Sequence, residues 1–171
     1  MRKIIVSILL VLTLFCSCSE KSETALDLFN KAKALNYTNQ KMAIEYLNNA
    51  IKLNPGYSDA YNERGIAYFQ LGQSKLAIDD FNAAIRLKPD NASAYSNRGF
   101  IYFNLGQYKN AIKDSSEAIR LKPDHVSAYI NRGVSYLKQS NKNLGCRDLQ
   151  KACTLKKCGV LETAKSNGLC H

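Results

Sequence analysis

The chain has no tryptophan, two histidines, two methionines and only three prolines. Neither histidine is placed with a serine or cysteine nucleophile, and His125 reads as an exposed turn residue without a partner. There is no acid pair at fixed spacing and no glycine-rich phosphate loop, so nothing in the sequence supports catalysis or a bound cofactor. No apolar run reaches the ~20 residues needed to cross a bilayer. The longest, Ile4 to Phe15, is interrupted by Ser7 and Thr13. Acid is scarce as well, 14 Asp and Glu against 24 Lys and Arg, giving a formal charge of +10. The three prolines, Pro55, Pro89 and Pro123, each close an apolar helical pattern instead of interrupting one. What remains is one domain's worth of chain, long enough for a continuous core.

The first residues stand apart. Arg2 and Lys3 precede the apolar run and polarity begins at Ser17, the pattern of an export signal. Ser17-Cys18-Ser19 resembles a bacterial lipoprotein cleavage site, with a small residue before the cysteine that would carry the lipid. Cys16 fits less well, because bulky Phe15 precedes it. The resemblance implies a signal peptide over 1–17, acylation of Cys18, and a protein anchored to an envelope membrane on the periplasmic or cell-surface side. Residues 18–23 then form a short solvated tether. Removing 1–17 takes away Arg2, Lys3 and no acid, so the charge falls from +10 to +8. The excess lies late, at Lys138, Lys142, Arg147, Lys151, Lys156, Lys157 and Lys165 against Asp148 and Glu162. It reads as a solvated face or as a surface for anionic headgroups or an acidic partner. A nucleic-acid role has the charge but not the address.

The rest of the chain repeats itself. Ala94-Tyr95-Ser96-Asn97-Arg98-Gly99, with Tyr102, Gly106, Ala111, Ala118 and Pro123, returns 34 positions earlier as Tyr61, Arg64, Gly65, Tyr68, Gly72, Ala77, Ala84 and Pro89. Moved 34 forward, it returns as Tyr129, Arg132, Gly133, Tyr136 and Ala152. A period of that length marks a stacked array. Glycine inside a helix costs up to ~1 kcal/mol relative to alanine, so Gly65, Gly99 and Gly133 are expected where a second helix crosses closely. Gly72 and Gly106 are expected to end first helices in a left-handed conformation. Ser115 stands where the preceding unit has Phe81, which predicts looser packing between the third and fourth units.

Each unit resembles the tetratricopeptide repeat. The resemblance implies an all-α, right-handed solenoid over 24–157: a degenerate unit at 24–55, two regular ones at 58–89 and 92–123, and a decaying one at 126–157. Residues 158–171 would cap the open end. It further implies a concave groove lined by first helices, whose candidate contacts are Asn62, Ile66, Phe69, Ser96, Asn97, Phe100, Phe103, Asn131, Val134 and Leu137. Two apolar rows result, Ile66/Phe100/Val134 and Phe69/Phe103/Leu137, with Asn62, Asn97 and Asn131 placed to meet a peptide backbone. In the alternative reading the aromatics pack between units and the groove is merely filled. The cationic clamp of chaperone-tail receptors of this fold is missing, since its places hold Asn62, Ile66, Ser127 and Asn131. Arg64, Arg98 and Arg132 lie one residue off and are expected to bridge neighbouring units.

Four cysteines follow Cys18, namely Cys146, Cys153, Cys158 and Cys170. An even number in an exported array reads as two disulfides with three possible pairings. The Ala152-Cys153 to Cys158 spacing resembles the helix-to-turn bridge of cysteine-rich helical-repeat proteins, which implies Cys153–Cys158 and with it Cys146–Cys170. A metal set of Cys153, Cys158, Cys170 and His171 is the alternative, although its spacing matches no familiar zinc pattern. The functional expectation is a non-catalytic scaffold that holds a protein or peptide in its groove. The alternatives are an envelope assembly component that binds through its convex or cap surface, and a thiol-redox or metal protein. The oligomeric state is left open.

Overall fold

The computed structural model describes residues 23–35, 38–155 and 157–170. The signal segment, Cys18, most of the tether and His171 lie outside the described residues. Among those described there are nine helices and no strand. They are α1 (Ala25–Ala34), α2 (Gln40–Leu53), α3 (Ser58–Gln70), α4 (Ser74–Leu87), α5 (Ala92–Asn104), α6 (Tyr108–Leu121), α7 (Val126–Lys138), α8 (Lys142–Thr154) and α9 (Gly159–Ser166). Successive helices pack as pairs, and the pairs stack into an α-solenoid. No described helix is long and apolar enough to cross a membrane.

Local chemistry sets the ends of these helices. Thr24 and Asp27 form a reciprocal box at the start of α1, each side chain accepting from the other's backbone N–H at 3.1 and 3.0 Å. Asn39, Asn91 and Asn141 cap α2, α5 and α8 with side-chain oxygens, as short polar residues at this position do. Beyond α3 and α5 the chain turns through Gly72 and Gly106 at φ +75° and +72°. The corresponding turn after α7 uses Ser140 at φ 63°, a conformation that costs a non-glycine residue about 1 kcal/mol.

The core is strung along the solenoid in three clusters. Ala32, Leu47 and Ala60 join the first unit to the second. Ala77, Phe81, Ala84, Ala94 and Ile101 join the second to the third. Leu149, Leu161, Ala164 and Cys170 close the far end against Val134 and Leu137. The glycines of α3, α5 and α7 sit where each helix crosses its partner. A Cβ on Gly65 would lie 2.9 Å from the Phe81 ring, and one on Gly133 would lie 3.0 Å from the Gly145 carbonyl oxygen.

One expectation needs correction, and two small-residue positions show how the later units close. The helix crossing of the fourth unit is close at Gly145. With glycine on both helices the backbones approach closely and Leu137 fills the space, so that a Cβ on Gly145 would lie 2.7 Å from its side chain. Ser115 is fully buried, and its hydroxyl is without a hydrogen-bond partner among the described residues. His125 is half-buried at the start of α7 instead of exposed. Burial, reinforced by Lys122, pushes its imidazole below the ordinary histidine value.

Disulfides join Cys146 to Cys170 and Cys153 to Cys158. The first ties α8 to the chain beyond α9, and the second closes the turn between those helices. With these cysteines paired, the alternative metal set has no thiolate to offer, and no described cluster of His, Cys, Asp or Glu is arranged for a metal ion. Gly145→Ala is expected to destabilise the array by about 1–3 kcal/mol through overpacking. Gly159→Ala, where an added Cβ meets nothing within 4 Å, is expected to leave the urea midpoint at or above wild type. Equal midpoints for the two variants would refute the close Gly133–Gly145 crossing.

Candidate functional site

The first helices α3, α5 and α7 lie side by side, which brings the predicted groove residues onto one face. Their side chains do not all reach it. Phe100 is the open one, 41% exposed, and its ring meets that of Phe69 edge-on at 5.5 Å. Phe69, Ile66 and Asn97 are half-buried. With Gln70, Phe81 and Ile101 they surround an open apolar pocket of about 370 Å³ between the second and third units. The apolar contact therefore runs diagonally, from Phe69 in one unit to Phe100 in the next, and not along the two rows that the repeat suggested.

Phe103 leaves the predicted row by turning toward Tyr108, with ring centroids 5.8 Å apart. Val134 and Leu137 are half-buried and pack against the C-terminal cluster of Leu149, Leu161, Ala164 and Cys170. The amide row is engaged inside the solenoid. Asn97 Nδ2 donates to Asn62 Oδ1 at 3.1 Å, and Asn131 Nδ2 donates to the Ser96 carbonyl at 3.1 Å. Asn62, Ser96 and Asn131 are buried. The reason is physical: a buried polar group must be paired, and the neighbouring first helix supplies the partner before any ligand arrives.

The arginines do more than bridge units. Arg64 donates from Nε and Nη2 to both oxygens of Asp80 at 2.8 and 2.7 Å, within its own unit. Its Nη1 donates back to Asn48 of the preceding unit at 2.7 Å. Arg98 repeats this with Asp114 and Asn82, and Arg132 with Asp148 and Ser116. The carboxylates are buried. Tyr61, Tyr95 and Tyr129 lie under the respective guanidinium groups at 5.4–5.8 Å. The aspartates were legible in the sequence, since Asp80, Asp114 and Asp148 each follow their arginine by 16 residues and recur with the 34-residue period.

A second cavity, which takes only Ile66 from the predicted rows, opens at the N-terminal end of the groove. It measures about 220 Å³ and lies between the first and second units, walled by Ala32, Ala43, Leu47, Ile66 and Ala67. Glu63 and Lys33 also line it, together with Asn39, Gln40 and Gln70. Burial raises the Glu63 carboxyl above the usual carboxylate range. Lys33 and a long 3.5 Å hydrogen bond from Asn62 oppose that shift, and Asp59 adds to it.

Family profiles described as "TPR repeat" match residues 67–106 and 101–140, and one described as "Tetratricopeptide repeat" matches 46–79. Together they span 46–140, more than half of the chain. No curated protein sequence matches. Among solved structures, "Crystal structure of MamA" superimposes with a TM-score of 0.71 at 25% identity, covering 86% of this chain and 83% of that one. The first TPR of Spaghetti (RPAP3) bound to HSP90 peptide SRMEEVD superimposes with a TM-score of 0.66 at 26% identity, over 70% and 96% of the two chains. MamA 41-end from Desulfovibrio magneticus RS-1 gives 0.69 at 22% identity over 80% and 77%, a likeness of fold.

The half-buried Glu63 sets a pH dependence. Its folded-state pKa lies above the unfolded one, so the fold binds the extra proton, and stability is lost as pH rises through the folded value. Glu63→Gln is expected to raise Tm at pH 7, with the gain shrinking as pH falls to the ordinary glutamate value. A gain that grows on acidification would contradict the raised pKa.

Proposed function

The chain belongs to the tetratricopeptide-repeat family, and from that premise we propose that it is a non-catalytic adaptor, lipid-anchored in a bacterial envelope, that holds a protein or peptide partner in its groove. Members of the family generally mediate protein–protein interaction. One observation carries the reading to this chain, namely the open pocket between the second and third units, with Phe100 exposed over Phe69, Ile66 and Ile101. Monomeric surfaces expose few large aromatics in concave, preformed positions without a ligand to cover them. The related RPAP3 repeat domain holds the acidic peptide SRMEEVD. In this chain the places of a cationic clamp hold Asn62, Ile66, Ser127 and Asn131, so a terminal carboxylate is not what its groove recognises.

The envelope part of the proposal rests on the Arg2-Lys3 start, the apolar run to Phe15 and the Ser17-Cys18-Ser19 site. The two C-terminal disulfides agree with it, because such bonds persist in oxidising compartments. Acyl chains on Cys18 would hold the solenoid beside a membrane through the short tether.

Cross-linking in intact cells, followed by purification, tests the groove. Phe100→Ser is expected to lower partner recovery about tenfold or more, the loss of one desolvated aromatic anchor, with the circular-dichroism melt unchanged. Undiminished recovery would move binding to the convex or cap surface. Metabolic labelling with an alkyne fatty acid tests the anchor. The wild-type chain is expected to take up label and partition into detergent, and Cys18→Ser is expected to do neither. A labelled Cys18→Ser chain would rule out lipidation at that residue.

A further inference from the structure

The cavity at the N-terminal end of the groove is out of character for this protein. The chain carries +10 overall, yet α3 presents two carboxylates four residues apart on its groove side, Asp59 and Glu63. Glu63 is half-buried and has no ion pair among the described residues. Lys33, which also lines the cavity, is held over the Phe29 ring at 5.5 Å. A carboxylate brought out of water gains most from a cation that arrives with its own hydrocarbon stem. The walls beside Glu63 are alanine, leucine and isoleucine, suited to such a stem.

This cavity also shares two residues, Ile66 and Gln70, with the apolar pocket at Phe69 and Phe100. The two are adjoining subsites separated by one side-chain wall. We propose that the groove takes a partner segment that places a lysine or arginine against Glu63 and a large apolar side chain against Phe69 and Phe100. Glu63 and Phe69 are six residues apart on α3, a rise of about 9 Å. In a polyproline II segment, which rises about 3.1 Å per residue and returns a side chain to the same face every third residue, that separation corresponds to about three residues. Gln70, exposed on the shared wall, is placed to hydrogen-bond the backbone between the two side chains. The proposal rests on the groove-binding reading above and supplies its partner's chemistry: basic and apolar, opposite in charge to SRMEEVD.

Fluorescence polarisation with the full chain tests it, using end-blocked, labelled alanine-serine octapeptides that carry Arg-Ala-Ala-Leu or Leu-Ala-Ala-Arg. Matched peptides replace arginine with citrulline, which keeps the shape and removes the charge, or with glutamate. One of the two arginine peptides is expected to bind about tenfold tighter than its citrulline match, the yield of one partly desolvated charge pair, and the glutamate peptide weakest of all. Glu63→Gln is expected to erase the arginine preference while leaving the citrulline peptide unchanged, and Phe100→Ser to weaken every peptide. Equal binding of arginine and citrulline peptides, or a preference that survives Glu63→Gln, overturns the cationic subsite. Groove binding would still stand if Phe100→Ser weakened both peptides. Absence of any binding that depends on Phe100 would remove both readings.

Discussion

A planar guanidinium gripped by a buried carboxylate sets the geometry on which the rest of this solenoid depends. The pairing occurs three times, at Arg64–Asp80, Arg98–Asp114 and Arg132–Asp148, and each time both carboxylate oxygens are engaged. Two parallel hydrogen bonds fix orientation as well as distance, so the two helices of a unit are held at one mutual angle. The remaining Nη1 reaches back to Asn48, Asn82 or Ser116, and the unit is thereby aligned on the one before it. A bare ion pair of this kind contributes little net stability once desolvation is counted. Its effect here is registry: apolar burial holds the helices together, and the forked pairs decide how they meet.

That division of labour explains where the groove is and is not. With the unit angle fixed, the first helices come close enough for Asn97 to donate to Asn62 and for Asn131 to donate to the Ser96 carbonyl. The polar residues that a repeat pattern assigns to ligand contact are thereby taken up by the scaffold. What the scaffold leaves open is a short stretch around Phe69 and Phe100 and the Glu63 cavity beside it. Toward the C-terminus Val134 and Leu137, half-buried, pack against the cluster that α8 and α9 close.

The repeat period, helix boundaries and crossing glycines were legible because they obey spacings within a single unit. The tyrosine, glycine and alanine positions recur at 34 residues, and Pro55, Pro89 and Pro123 stand just past the ends of α2, α4 and α6. Whether a given groove position is open depends instead on the neighbouring unit, and periodicity carries no such information. Phe100 and Val134 occupy the same place in successive units, yet Phe100 is exposed and Val134 is half-buried against the C-terminal cluster. Glu63 escaped notice because a single acid on a helix face looks like solvated surface until the first unit is folded against it.

The two ends of the array are also unequally secured. In a solenoid each unit contacts only its neighbours, so loss of structure proceeds inward from an end. The C-terminal end is bolted twice by disulfides. The first unit has no such bond among the described residues, and it leaves Leu26 and Met42 exposed at 57% and 41%. Mechanical tension or thermal fraying therefore strips α1 and α2 first. Because those helices carry Ala32, Lys33 and Leu47, their departure would dismantle one wall of the Glu63 cavity while leaving the Phe69–Phe100 contact standing.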